Sequence, residues 1–159
     1  MLTMAPLMKF IRGLALVMLV VTVAACARNP ADSTGAGGAA TPGSQQEFLV
    51  TVGDRVFFET DSSVLTAEAQ ATLDKQAVWL NRYPQYRVLI EGHADERGTR
   101  EYNIALGARR AAAAVNYLVS RGVNQNRITS KSFGKERPVA ICNDISCWSQ
   151  NRRAVTVLN

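Results

Sequence analysis

A stripe of side chains between residues 103 and 117 constrains the fold most, because it mixes core residues with a cation. Asn103, Leu106, Arg110, Ala114 and Tyr117 recur at steps of three and four, which places all five on one side of a helix. Leu106 and Tyr117 belong against a sheet, so Arg110 lies at or near the edge of the core. An unpaired guanidinium is costly there. The stripe therefore predicts a packed helix whose arginine requires an anion.

Asp95 is the nearest candidate for that anion, since it lies in a glycine-flanked turn just before the helix. Two interpretations remain open. In the first, a buried pair of Asp95 and Arg110 serves only to fix the loop. In the second, both charges face a shared pocket and wait for a ligand that carries both signs. The second interpretation predicts that alanine at either position leaves the protein folded but unable to bind.

The rest of the chain from residue 54 alternates strand and helix signals. Thr66 is placed to cap a first helix that buries Ala69, Leu73, Ala77 and Leu80, and Pro84 closes it. Strands are predicted at residues 54–59, 86–92, 127–134 and 152–159. Two helices of similar length between short strands fit a two-layer α/β domain with both helices on one sheet face. Periodicity does not give the strand order.

The N-terminus has the order of an export signal. Lys9 and Arg12 precede an apolar run over residues 14–25 that is too short to span a bilayer comfortably. The run ends in VAAC, residues 23–26, which resembles a bacterial lipobox. That resemblance implies cleavage before Cys26 and attachment of a diacylglyceryl group to its sulfur. An ordinary signal peptide that ends near a cysteine and an uncleaved anchor are the alternatives.

Three regions are predicted: a lipoprotein signal peptide over residues 1–25, a lipidated cysteine with a flexible tether over 26–47, and a folded domain over 48–159. The tether is rich in small and polar residues and lacks large apolar groups, so it cannot offset its ordering entropy. The chain has 18 basic and 13 acidic residues, and two of the basic ones lie in the signal. A weakly basic exported domain needs no nucleic acid as a partner.

The segment GHADERGTREYNIALGARRA, residues 92–111, is similar to the peptidoglycan-binding motif of the OmpA-like C-terminal domain family. The match to its peptidoglycan-associated lipoprotein branch is close and covers most of residues 50–159. The resemblance implies an α+β domain with a mixed four-stranded sheet and two main helices on one face. Arg100 stands where close relatives often have proline, and Ala114 replaces a common valine.

The resemblance also implies a ligand, the meso-diaminopimelate of the peptidoglycan stem peptide, bound by Asp95 and Arg110. Diaminopimelate carries an ammonium and a carboxylate on one carbon, so one acid and one forked cation suit it. Asn103 and Arg152 match further positions of the family motif. Glu59 and Asp61 resemble the family's acidic turn beside the pocket, with a solvated turn as the alternative.

Catalysis, metal binding and cofactors are not predicted. A peptidoglycan hydrolase is the alternative from another class, but Asp95 and Glu96 are adjacent, and a nearby cation lowers a pKa that acid catalysis needs raised. His93 is the only histidine and is predicted to lie in a loop with a backbone partner. The resemblance implies a lipid-anchored protein of the outer membrane that faces the periplasm. It further implies TolB and other Tol-system proteins as partners.

Cys142 and Cys147 lie five positions apart before the last strand. In a straight helix their Cα atoms would be too distant for a disulfide, so bonding requires a looped segment. A disulfide is favoured in an exported domain, and two buried thiols are the alternative.

Overall fold

The computed structural model describes residues 40–159, so Cys26, the predicted signal peptide and most of the predicted tether lie outside the described residues. The strands are β1 (Arg55–Phe57), β2 (Val88–His93), β3 (Ile128–Gly134) and β4 (Arg153–Leu158), and the main helices are α1 (Ala67–Arg82), α2 (Arg100–Ser120) and α3 (Ile145–Asn151). The strand order is β1-β4-β2-β3. Because β4 is antiparallel to β1 and β2 while β3 is parallel to β2, the sheet is mixed, as predicted.

Both long helices pack on the same face of the sheet, which confirms the predicted two-layer α+β class. Thr66 and Thr99 begin these helices, because each hydroxyl accepts the backbone N–H three residues ahead. The four predicted apolar positions of α1 are buried and join one core with residues of all four strands: Val56, Val88, Ile90, Ile128 and Ala154. None of the helices within residues 40–159 is long and apolar enough to cross a membrane.

α2 approaches the sheet most closely where Gly107 faces Gly92 of β2. A Cβ on Gly92 would collide with the Gly107 carbonyl oxygen, and a Cβ on Gly107 would collide with the Ser132 hydroxyl. The two glycines therefore let the α2 backbone lie against the end of β2. This approach brings Arg110, one turn further along α2, within hydrogen-bond distance of the backbone at His93.

Alternate residues of the strands point to the sheet face turned away from α1 and α2, which we term the outer face. Cross-strand pairing places Arg55, Val155, Glu91 and Lys131 in one row across all four strands. Phe57 pairs with Arg153 on one side of this row, and Leu89 pairs with Val157 and Thr129 on the other. The outer face thus carries Val155, Val157, Leu89 and Glu91 on its two central strands, with Arg153 buried among them, and exposed cations on its edge strands.

Residues 43–52, which we term the leading segment, pack on the domain ahead of β1. They contain one α-helical turn (Gln45–Glu47) and one π-helical turn (Phe48–Val52). The Trp79 indole donates to the Glu47 carboxylate at 2.7 Å, and the Tyr86 hydroxyl donates to the Gly43 carbonyl at 2.7 Å. The packed part of the chain therefore begins ahead of the predicted boundary at residue 48.

The short helix α3 lies where the sequence predicted no element. Asp144 begins it by accepting the Ser146 N–H at 2.8 Å. Cys147 in α3 forms a disulfide with Cys142 in the preceding loop, with 5.7 Å between the two Cα atoms. The bonded pair spans a loop and a helix start rather than a straight helix, as the spacing argument requires.

Candidate functional site

Asp95 follows β2 directly, and arginines surround its carboxylate. Arg97 donates from Nε at 3.1 Å and from Nη2 at 2.7 Å, and its backbone N–H donates at 3.2 Å. Arg152 donates from Nη1 at 3.4 Å. Burial alone raises the pKa of Asp95, but these hydrogen bonds and charges outweigh it and hold that pKa below its ordinary value. Asp95 is therefore a largely buried but ionised carboxylate.

Arg110 has no contact with Asp95 and is completely buried. Its guanidinium donates to three backbone carbonyls: Ser62 at 2.8 Å, His93 at 2.9 Å and Glu59 at 3.2 Å. Burial lowers the pKa of Arg110 to about 10, so the side chain stays charged at neutral pH. The interpretation of a direct pair with Asp95 is wrong, because carbonyl dipoles from the loop after β1 and from the end of β2 take the place of the predicted anion.

A cleft of about 240 Å³ opens beside Asp95, between the loop that follows β1 and the first turns of α2. Its walls include the side chains of Asp61, Asp95, Arg97, Tyr102, Asn103 and Leu106. The Tyr102 hydroxyl donates to the Asp61 carboxylate and so joins the two walls. Arg110 does not line this cleft, so the structure does not bring both predicted charges to one open pocket.

The three other predicted site residues lie around Asp95 in different ways. Asn103 is buried and donates to the Arg97 and Thr99 carbonyls at 2.7 and 3.0 Å, which fixes the loop that carries Arg97. Arg152 is buried and holds the Phe58 carbonyl at 2.9 Å as well as Asp95. Glu59 contributes its backbone carbonyl to Arg110, while its side chain is exposed.

Arg97 and Trp148 belong to this region but were not identified from the sequence. The Arg97 guanidinium lies 4.1 Å from the centre of the Trp148 ring, and its side chain is 41% exposed. The Trp148 indole donates to the Glu96 carboxylate. The sequence does contain a signal for Arg97, because an aspartate in a turn commonly accepts the backbone N–H of the residue two positions after it. Trp148 had none, since it lies in the unpredicted helix α3.

His93 ends β2 and is not the loop histidine with a backbone partner that was predicted. Its ring is buried and stacks on Phe133 with 5.6 Å between the ring centres. Within residues 40–159 neither ring nitrogen makes a hydrogen bond, and the nearest carboxylate oxygen, from Glu91, lies 3.5 Å from Nε2. Burial, followed by the charges of Arg153 and Arg137, lowers the pKa of His93 from 6.5 to about 4. The imidazole is therefore neutral at pH 7.

The lowered pKa of His93 predicts that the folded protein loses stability in acid. The unfolded chain binds a proton at His93 below about pH 6.5 while the folded protein does not, so the stabilising contribution is full above pH 6.5. It is lost as the pH falls toward 4, up to about 3 kcal/mol. His93→Phe keeps a ring against Phe133 and should lose this dependence. Urea unfolding of both proteins between pH 7 and pH 4 measures it.

The difference between the two proteins in how the free energy of unfolding changes with pH isolates the contribution of His93, because both proteins share the same carboxylates. Parallel stability curves across this pH range would show that the imidazole is protonated equally in the folded and unfolded states.

Comparisons with known proteins find a matching family model and similar sequences. The model of the OmpA family matches residues 57–152. The chain is 66% identical over 155 residues to the peptidoglycan-associated lipoprotein of Rhizobium meliloti, covering 92% of this chain and 88% of that protein. It is 40% identical over 153 residues to the protein of the same name from Haemophilus influenzae, covering 92% and 97%.

Two solved structures are similar in fold. The peptidoglycan-associated lipoprotein from Burkholderia pseudomallei matches with a TM-score of 0.65 and 43% identity, over 67% of this chain and 90% of that one. The C-terminal domain of Helicobacter pylori MotB matches with a TM-score of 0.63 and 21% identity, over 67% and 84%. At that identity, the MotB domain shows a shared fold alone.

Proposed function

Since this chain belongs to the OmpA family, we propose that it is a lipoprotein that binds peptidoglycan non-covalently and ties the outer membrane to the cell wall. The observation that carries the proposal is the cleft in which an ionised, largely buried carboxylate, Asp95, lies beside an exposed guanidinium, Arg97. The protein acts as a binding module and not as an enzyme.

The ligand that fits these two groups is the free end of meso-diaminopimelate, which bears an ammonium and a carboxylate on one carbon. The Asp95 carboxylate accepts hydrogen bonds from the ammonium. Arg97 gives up part of its bidentate contact with Asp95, and its guanidinium then donates to the carboxylate of the ligand. Charge-assisted hydrogen bonds of this kind contribute about 1.5–3 kcal/mol each, which gives specificity with moderate affinity. Many sites on one polymer then strengthen attachment through effective concentration.

The other predicted residues stabilise the structure around this site. Arg110 ties together the carbonyls of the loop after β1 and of the end of β2, so it shapes the cleft without lining it. Asn103 fixes the Arg97 loop, and Arg152 keeps Asp95 ionised. Glu59 takes part through its carbonyl. The carboxylate-binding role predicted for Arg110 thus falls to Arg97.

Sedimentation with purified cell walls tests the ligand. The protein should co-sediment with sacculi that contain diaminopimelate. It should bind sacculi with lysine at that position about tenfold more weakly or worse, because lysine lacks the carboxylate that Arg97 holds. Equal binding to both walls would contradict the proposed ligand. Release of soluble wall fragments by the protein would instead support the alternative, a hydrolase.

We propose that residues 1–25 are a cleaved signal peptide, that Cys26 carries the lipid, and that the chain up to about residue 47 links it to the domain, which faces the periplasm. Several acyl chains bury many methylene groups at about 0.8 kcal/mol each, so the anchor is effectively permanent. Cys26→Ser should move the protein from the membrane fraction to the soluble fraction. Labelled palmitate that still enters this variant would contradict lipidation at Cys26.

The Tol system is proposed as the partner of this envelope link on the basis of the family resemblance, with TolB docking on the folded domain. Purified TolB should be retained by the immobilised protein. A TolB that passes through without delay would remove this partner from the proposal.

A further inference from the structure

The outer face of the sheet has the composition of a binding surface. Its exposed cations lie toward the edges: Arg55 on β1, Lys131 on β3 and Arg137 in the loop after β3, whereas Arg153 on the inner strand β4 is buried. Arg137 lies 3.7 Å from the centre of the Phe133 ring, so its guanidinium sits over this face while its side chain stays 59% exposed. The acids near this row are Asp54, paired with Arg55 at 2.8 Å, and Glu91, which lies 3.9 Å from Arg137.

Apolar side chains also lie on the two central strands of the same face, beside Glu91 and the buried Arg153. Val155, Val157 and Leu89 are half-buried, and Phe57 is 46% exposed. The leading segment extends this surface, because Leu49 is 52% exposed and lines a cleft with Val155 and Val157. An apolar centre with cations around it suits a surface that offers both acyl chains and phosphate groups.

We propose that the outer face docks on an anionic phospholipid surface, and that this surface is the leaflet that holds the protein's own anchor. The second part rests on the proposed lipidation of Cys26. Cys26 and Gly43 are 17 positions apart, a distance of at most about 60 Å even for a fully extended chain. A tethered domain meets its own membrane at high effective concentration, so weak intrinsic affinity is sufficient.

The position of the leading segment favours the membrane over a protein partner as the occupant. The chain reaches the domain at Gly43, which Tyr86 holds near the start of β2. Leu49 and Val157 lie at that same end of the sheet, because Val157 pairs with Leu89 near the start of β2. The Asp95 cleft lies beyond the other end of β2. A membrane-docked domain therefore keeps its cleft away from the attachment point.

Vesicle sedimentation of the complete mature chain, residues 26–159 with Cys26→Ser, tests the proposal without a lipid anchor. The protein should sediment with vesicles that contain one third phosphatidylglycerol and not with vesicles of phosphatidylcholine alone. The double variant Arg55→Gln with Lys131→Gln should bind about 30-fold more weakly, because each cation near an anionic surface contributes about fivefold. Raising the salt to about 1 M should release the wild type.

The matched control neutralises two cations of the helical layer, Lys75→Gln with Arg121→Gln. It should bind the anionic vesicles as the wild type does, and both double variants should sediment with sacculi unchanged. Equal weakening in both double variants, or no binding to anionic vesicles by the wild type, would overturn the proposal while leaving peptidoglycan binding untouched. A concentration-dependent dimer that only the Arg55 and Lys131 variant loses would assign the outer face to a second copy instead.

Discussion

Replacing Arg110 with alanine should lower the free energy of unfolding by about 3–5 kcal/mol. The side chain is completely buried, and its removal leaves the carbonyls of Glu59, Ser62 and His93 without their donor. Arg110→Lys should also be strongly destabilised, because one ammonium cannot reach three carbonyls that a planar fork holds together. Urea unfolding at pH 7 measures both variants. This expectation reverses the prediction, from the sequence alone, that the alanine variant remains stably folded.

The neighbouring Arg109 supplies the control, since its side chain is exposed on the same helix. Arg109→Ala should change the stability by about 0.5 kcal/mol or less. If Arg110→Ala were as stable as Arg109→Ala but failed to bind sacculi, Arg110 would contact the ligand directly and the three carbonyls would not need it.

Replacing Asp95 with asparagine should weaken binding to diaminopimelate-containing sacculi by about 10-fold to 150-fold. The amide keeps the shape of the carboxylate but removes the charge that accepts the ligand's ammonium. The variant should stay folded, because Arg97 is partly exposed and Arg152 keeps the Phe58 carbonyl as a partner. Sacculus sedimentation over a range of protein concentrations gives the change in affinity, and thermal unfolding checks the fold.

Asp74→Asn is the matched control, because it removes a partly exposed carboxylate from α1, far along the chain from the cleft. It should sediment as the wild type does. Arg97→Gln should weaken binding as Asp95→Asn does, since it removes the fork for the carboxylate. Folded Asp95→Asn protein that sediments at the wild-type level would place the ligand elsewhere on the domain.

The fold class followed from the sequence because its signals are local. Threonines at helix starts, apolar steps of three and four, and β-branched runs each depend on neighbours within about one helical turn. The strand order was out of reach, because the pairing of β4 between β1 and β2 joins residues that are about 100 and 65 positions apart. The helix α3 was missed because it has only seven residues and depends on the Asp144 cap and the Cys142–Cys147 disulfide.

Only part of the site could be predicted, because the sequence signals for it are also local. The helical stripe correctly indicated that Arg110 points inward, and the binding role of Asp95 stays a prediction. The partner of Arg110 could not be predicted, because any residue can supply a carbonyl and Ser62 lies 48 positions away. Side-chain periodicity does not reveal the turn that places Arg97 beside Asp95.

The two ends of β2 have a mechanical consequence. The chain is held to the domain near the start of this central strand, and the cleft opens beyond its far end. If a ligand held in the cleft and the proposed lipid anchor are pulled apart, tension enters the domain through the leading segment and β1 and acts along the strands of the sheet. Strands loaded along their length share the force among many hydrogen bonds at once, whereas strands peeled sideways lose them one by one. We expect the leading segment to yield before the sheet under tension, because only the packing of Phe48 and a few single hydrogen bonds, including those from Trp79 and Tyr86, hold it to the domain.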